Sequence, residues 1–274
     1  MKTIFNHTPI AYVLACLLMQ AHSLLAQTES PSPTITNMKL IGIGHSAILD
    51  TYLSQEHYSG AELRFTDHTT RQADNRQWST QLVHQVYISS TTPRSDDNTF
   101  LAGMYSFGYS RHRKLVNIDG RFTLKAGLTA EADAGFLYST VGGNNPAQAR
   151  LALNIAPTAV ATYSFPLLKH TWQLRYELAA PILGLMFTPN FGQSYYEIFS
   201  RGDYDNNIRL AHPFNSPSLR HMLTIEIPIR KTTLTLGYLG DYQQADVNMI
   251  KYHNYSHMLV VGIVRRFKIK DIRP

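Results

Sequence analysis

Few residues in this chain have the types and spacing of reaction chemistry. His57-Tyr58-Ser59 is its one H-x-S triplet. A histidine beside a serine offers a base and a nucleophile for a lipid-acting hydrolase. Nothing in the sequence marks a carboxylate or amide to orient the imidazole, so the triplet reads as a turn leading into a strand at Gly60. His253 and His257 are four apart, on one face of a strand and too distant for an easy shared metal. Asp203, Asp205 and Asn207 alternate like the start of a calcium loop, but Ile208 stands in place of the required glycine and Phe214 in place of the final glutamate, which excludes an EF-hand. Cys16 is the only cysteine and falls in the export signal described below. No catalytic residue, metal or other cofactor is expected, and a non-enzymatic role follows.

The charged residues that do show a pattern sit at alternate positions opposite apolar ones. They are Glu62, Arg64, Arg121, Lys125, Glu131, Asp133, Arg175, Glu177, Arg220 and Glu226. In Gly120–Thr140, Phe122, Leu124 and Ala126 alternate with Arg121, Thr123 and Lys125, and Ala130, Ala132, Ala134 and Phe136 alternate with Glu131 and Asp133. A period of two means β-strand. The ten charged residues are expected to line a lumen while the apolar set faces outward. Five bases set against five acids predict ion pairs across a narrow or plugged interior, since a wide selective pore tends to show one sign of charge.

The elements that must carry these faces are all strands. Alternation places them near residues 38–44, 60–67, 78–90, 99–111, 119–126, 130–140, 151–164, 170–183, 219–229, 232–243 and 256–268, with one more hidden between Leu183 and Ser218. The expected fold is an all-β, antiparallel transmembrane barrel of about 12 strands, with 10 as the smaller alternative. Two hairpins satisfy parity. A turn at Gly127-Leu128-Thr129 would pair Lys125 with Glu131. A turn at Arg230-Lys231 would pair Ile227 with Leu234, Ile225 with Leu236 and Glu226 with Thr235. "VGGNNPAQA", "SRGDYDNN" and "QADVNMIKYHN" read as polar rim loops, and "GQSYYEIF" as a short amphipathic helix at the barrel mouth or the interface, or else an irregular loop.

Lys2, an apolar run from Pro9 to Met19 and the ending Ser23-Leu24-Leu25-Ala26 predict a signal peptide over 1–26. Residues 27–37 read as a flexible lead-in and 38–274 as one barrel domain. An exported chain without a mature cysteine relies on burial and hydrogen bonding. The net charge is +6, or +5 without Lys2, and its bases are dispersed, which excludes a nucleic-acid footprint. No segment after the signal has the apolar length of a spanning helix, so a membrane position requires a closed barrel. A soluble periplasmic sandwich or lipocalin-like carrier also has alternating strands. Charges of both signs on the opposite faces, and tyrosines such as Tyr138, Tyr163 and Tyr242 toward strand ends, favour lipid outside.

The last strand, "HMLVVGIVRRF", places Gly262 five residues before Phe267. It resembles the closing strand of bacterial outer-membrane barrels, departing from it in Arg265 and in the seven residues that follow Phe267. "DTYLSQEHYSGAELRF" and "PILGLMFTPNFGQSYYEIF" resemble uncharacterised outer-membrane barrel families, domains of unknown function, of Bacteroidetes-type bacteria. The resemblance implies a bacterial outer-membrane location, contact with outer-membrane lipid, recognition of the strand ending at Phe267 by the barrel-assembly machinery, and a porin-like fold without a defined reaction. Channel, binding and structural roles are all open on this reading, with a lipid-acting enzyme or a soluble carrier as alternatives.

Overall fold

The computed structural model describes residues 33–268 except 74, 75, 96, 142, 144 and 231. The expected signal peptide, the lead-in up to residue 32 and the tail after Lys268 lie outside the described residues. Twelve strands form one antiparallel sheet: β1 (Pro33–Asp50), β2 (Ser54–Ala73), β3 (Trp78–Pro93), β4 (Phe100–Ile118), β5 (Phe122–Ser139), β6 (Ala147–Leu167), β7 (His170–Ala179), β8 (Leu183–Phe187), β9 (Ile208–Ala211), β10 (Ser218–Ile229), β11 (Thr232–Val247) and β12 (Ile250–Lys268). One helix, α1 (Tyr195–Phe199), lies between β8 and β9.

The sheet closes because β1 pairs with both β2 and β12, from Thr34 opposite Lys268 to Asp50 opposite Tyr252. β7 and β8 both pair with β6, at Thr158 opposite Ala179 and Ile155 opposite Leu183, so they succeed one another along one stave. β10 pairs with β7 and β9 with β8, forming a second interrupted stave. The twelve strands therefore make ten staves around the barrel. Closure gives β1 and β12 a partner on both sides, the condition a strand must meet in hydrocarbon, while β9, paired only with β8, keeps one free edge among the described residues.

The side chains are inverted relative to a soluble domain. Ile43, Leu153 and Leu259 are 67%, 59% and 73% exposed on the outside, while Glu62 and Arg64 are 2% and 1% exposed within. Phe136 faces outward and Leu124 and Ala132 share its parity, opposite Lys125 and Glu131. Tyr105, Tyr109, Tyr138 and Tyr163 are also exposed on the exterior. Short turns join strands at the end where β1 begins and β12 finishes; Asp119 and Gly120, Leu168 and Lys169, and Arg230 take left-handed φ there. The longest connection, 188–207, is at the other end.

Several expectations are corrected. Residues 122–139 are one continuous strand, not a hairpin around Gly127-Leu128-Thr129, and Lys125 does not pair with Glu131. Parity could not reveal this: Ala126 and Ala130 point the same way whether the strand turns back or runs straight. The turn lies instead at Asp119-Gly120, where left-handed φ values are adopted, and Arg121 sits in it, exposed, rather than in the lumen. β1 starts at Pro33, inside the expected lead-in. "QADVNMIKYHN" is strand except for a tight turn at Asn248-Met249, both left-handed. The segment between Leu183 and Ser218 holds two short strands and a helix. The hairpin at Arg230 closes in the expected register, with Ile227 opposite Leu234 and Glu226 opposite Thr235.

Gly127 on β5 leaves no room for a side chain against β4. A Cβ there would lie 1.8 Å from the Arg111 carbonyl oxygen and 2.8 Å from His112 Cα. Gly127→Val is expected to remove most of the folded species seen as altered mobility of unboiled protein on a gel. Gly143→Ala, whose Cβ would meet nothing within 4 Å, should leave that species intact.

Candidate functional site

The lumen is organised by one ion-pair network at mid-barrel. β2 places Glu62 and Arg64 two residues apart, both inward. Arg64 Nε donates to Glu62 Oε1 at 2.7 Å, and its Nη1 donates to Asp241 Oδ2 on β11 at 2.6 Å. Ser256 on β12 donates to Glu62 Oε2 at 2.6 Å. Arg220 on β10 lies 3.4 Å from the same Asp241 oxygen and donates through Nη1 to Glu131 Oε2 on β5 at 2.7 Å. β10 and β5 are separated by two staves, so this last bond crosses the lumen. Asp133 follows on β5, its Oδ2 accepting from Asn154 on β6 at 3.1 Å.

Toward the short-turn end a second set lines a cavity of about 320 Å³. Arg175 Nε donates to Glu177 Oε1 at 2.5 Å, and His68 Nδ1 is 3.5 Å from that oxygen. Lys125 donates to Gln72, and Arg266 donates to Glu226. Toward the long-loop end, Asp50 is fully buried with Arg150 Nη1 at 4.0 Å, and that guanidinium stacks 3.3 Å from the centroid of Tyr252. Counting this group with the central network, five carboxyl groups (Asp50, Glu62, Glu131, Asp133, Asp241) accompany three guanidinium groups (Arg64, Arg150, Arg220).

Nine of the ten charged residues expected in the lumen are thus on inward-facing strand positions, and Arg121 is not. Asp241, Asp50, Arg150, His68 and Arg266 were missed. Asp241 carried the same alternation signal as its neighbours, whereas His68 and Arg150 fell one residue outside the expected strand limits and Asp50 six residues beyond the expected end of the first strand. Equally missed were apolar groups inside the barrel. Met38, Leu40, Met222, Leu239, Met258, Val260 and Val264 form one buried cluster. Ile48, Tyr58, Tyr87, Phe100, Ala102, Met104 and Leu137 form another, with Tyr58 stacked on Phe100 at 3.5 Å. The signal for the first was the absence of alternation in "HMLVVGIV", apolar on both faces.

The long-loop mouth is crossed by 188–207. Ser194 caps α1, its hydroxyl accepting from Glu197 N while Glu197 Oε2 accepts from Ser194 N, a reciprocal capping box. Those bonds hold the Glu197 carboxyl below its ordinary range. Tyr52, in the β1–β2 turn, donates to the Gln193 carbonyl at 2.8 Å, and burial pushes its phenol above the usual value, so it stays a donor. Tyr195 accepts from Ala149 N on β6 at 2.6 Å, and Asn248 in the β11–β12 turn donates to the Asn206 carbonyl at 2.9 Å. The connection is therefore tied to the rim at three separated points.

The remaining candidates do not converge. No hydrogen bond joins His57 to Ser59 among the described residues; the His57 ring lies 5.2 Å from His253, which stacks on Tyr255. His257 Nδ1 is 2.5 Å from the Tyr238 hydroxyl. Asn207 is buried and donates to Gln193 Oε1 at 2.7 Å, while Asp203 and Asp205 offer backbone carbonyls to Gln193 and Asn190. No group of three or more potential metal ligands occurs among the described residues.

A closed antiparallel barrel, apolar outside and ion-paired within, is a β-barrel of the outer-membrane type. The chain belongs to a family described as protein of unknown function, DUF3316, whose model matches residues 10–273. No curated protein matches it in sequence. Among solved structures it is similar to the outer-membrane protease OmpT of Escherichia coli (TM-score 0.48, 8% identity, 89% of this chain and 99% of that one). It is similar also to the β domain of the Bordetella autotransporter BrkA (0.40, 9%, 87% and 100%) and to the COG4313 outer-membrane channel of Pseudomonas putida F1 (0.38, 9%, 88% and 97%).

Removing one member of the central network strands buried charge. Arg64→Met is expected to cost about 3–5 kcal/mol, read as a lower urea midpoint for unfolding from lipid vesicles. Lys39→Met, whose partner Asp67 is not fully buried, should cost under about 1 kcal/mol.

Proposed function

We propose that this protein is an integral barrel of the bacterial outer membrane with a closed lumen, acting as a binding or structural protein and neither as a wide pore nor as an enzyme. The observation that carries this reading is the bond from Arg220 on β10 across the lumen to Glu131 on β5, continued through Asp241 to Arg64 and Glu62. A conducting lumen needs a continuous hydrated path. Here the middle is spanned by charges bonded to one another, the apolar clusters occupy much of the remaining interior, and the loop bearing α1 covers one mouth.

The orientation that accompanies this proposal puts the short turns in the periplasm and the 188–207 connection outside, as short periplasmic turns and longer outer loops are distributed in such barrels. β12 ends with Phe267 exposed at the periplasmic end and paired with Ile35 of β1. That is the strand through which the barrel-assembly machinery would recognise the chain and close the sheet. A source among Bacteroidetes-type bacteria, suggested by the sequence resemblance, belongs to the same proposal.

In planar bilayers the purified barrel is expected to show no large, stable single-channel conductance. Deleting residues 190–206 should not create one, since the mid-barrel bonds remain. A stable conductance of porin size from the unaltered protein would overturn the closed reading.

A further inference from the structure

The wall itself is interrupted. Between Arg220 opposite Ala179 and Gly184 opposite Ala211, the two interrupted staves lose register. Residues 180–182 on one side keep their bonds to β6, through Ala180 N to the Pro157 carbonyl and Ile182 N to the Ile155 carbonyl. On the other side 212–217 turn out of the wall. Ser216 N bonds back to the His212 carbonyl, and Phe214 is 96% exposed. No backbone hydrogen bond joins the two segments among the described residues.

This opening is at the height of lipid. Leu183, Leu185, Ile208 and Leu210 are exposed above it, and Leu219 and Leu223 below it. Backbone donors left without a partner in hydrocarbon cost several kcal/mol each. Pro181 on one lip and Pro213 and Pro217 on the other have no N–H to leave unsatisfied. Three prolines placed here make a standing gap tolerable where an ordinary strand would have to zip shut.

Behind the gap lies a cavity of about 70 Å³, bounded by both lips and by the charged groups of Glu131, Asp133, Arg150, Arg220 and Asp241. On the outer surface beside it runs a groove of about 530 Å³, floored by Ala130 and Ala132 and walled by side chains including Phe107, Tyr109 and Leu153. Leu183, Asn154 and Glu131 border both spaces. Three carboxyl groups (Glu131, Asp133, Asp241) and two guanidinium groups (Arg150, Arg220) border the inner cavity, one acid in excess, and Asp133 Oδ1 has no hydrogen-bond partner.

We infer that the gap is a lateral binding site for a bilayer-resident amphiphile with a cationic head. The ammonium group occupies the inner cavity, where it meets the excess carboxylate charge and Asp133 Oδ1. The alkyl chain leaves between the lips and lies along the alanine-floored groove. An ammonium forms charge-assisted hydrogen bonds with these carboxylates, whereas an anionic head is repelled by them. The inference rests on the membrane-barrel reading of the preceding subsection and adds a ligand class to it.

The test uses the full barrel in a neutral maltoside detergent, with dodecylammonium as the probe and dodecyl sulfate as its anionic counterpart, read by native mass spectrometry. Gel mobility before and after boiling reports separately whether the protein is a folded barrel, so loss of the ligand site and failure of the barrel reading are distinguishable. One saturable equivalent of dodecylammonium is expected. Asp133→Asn should weaken it by roughly tenfold or more, the change that about 1.4 kcal/mol produces. Ser216→Trp, or Leu183→Trp should the former not fold, obstructs a lip and should abolish binding. Comparable binding of dodecyl sulfate, undiminished binding by a folded lip variant, or no saturable dodecylammonium binding by the folded wild type would each overturn the inference.

Discussion

Hydrocarbon offers a peptide group no hydrogen-bond partner, and this single constraint governs the molecule. A sheet meets it only by closing on itself, as β1 does through its long registers with β2 and β12. Closure with a side-chain period of two then divides every strand into a face for lipid and a face for the lumen. The charged residues on the lumen faces then have to be accommodated inside a tube ten staves around.

Charges confined in that way must satisfy one another. Glu62, Arg64, Asp241, Arg220 and Glu131 do so in a relay from β2 to β5 that no hairpin-level rule would assemble, since it joins residues up to 179 positions apart in the chain. Breaking a buried pair leaves a charge without solvent or partner, which is why such a network ties the lumen together more firmly than equivalent surface pairs would. The methionine, leucine and valine clusters around it show that the interior is in part an ordinary apolar core. The barrel is inside-out on its surface without being simply hydrophilic at its centre.

The interruption between the paired broken staves sets the limit of the closure rule. A wall can stay open at lipid depth if it strands no donors there: three lip residues are prolines, and the N–H groups of Ala180, Ile182, His212, Phe214, Asn215 and Ser216 bond to β6 or within their own lip. The excursion at 212–217 is anchored by its own bonds, with His212 N donating to Asn215 Oδ1 at 2.8 Å and Asp246 N to the Asn215 carbonyl at 2.8 Å. The gap is therefore a formed feature of the wall, adjoining a part of the lumen where acids outnumber bases.

Alternation along the sequence was enough to determine the all-β class, the inward direction of nine of the ten charged residues it picked out and the register of the hairpin at Arg230, because each depends only on parity between near neighbours. Parity is blind to whether a strand bends back, so the continuity of β5 through Gly127 and the turn that takes Arg121 out of the lumen were settled by which strand lies alongside, β4 and β6 on either flank. Strand limits were underestimated for the same reason: Asp50, His68 and Arg150 extend strands through polar residues that a solvent-exposed loop would hold equally well, and only pairing partners distinguish the two. Which acid meets which base across the lumen, the apolar packing within it and the gap between the broken staves depend on the curvature that brings β10 to face β5. That curvature is a property of the closed sheet as a whole and is written in no local stretch of the chain.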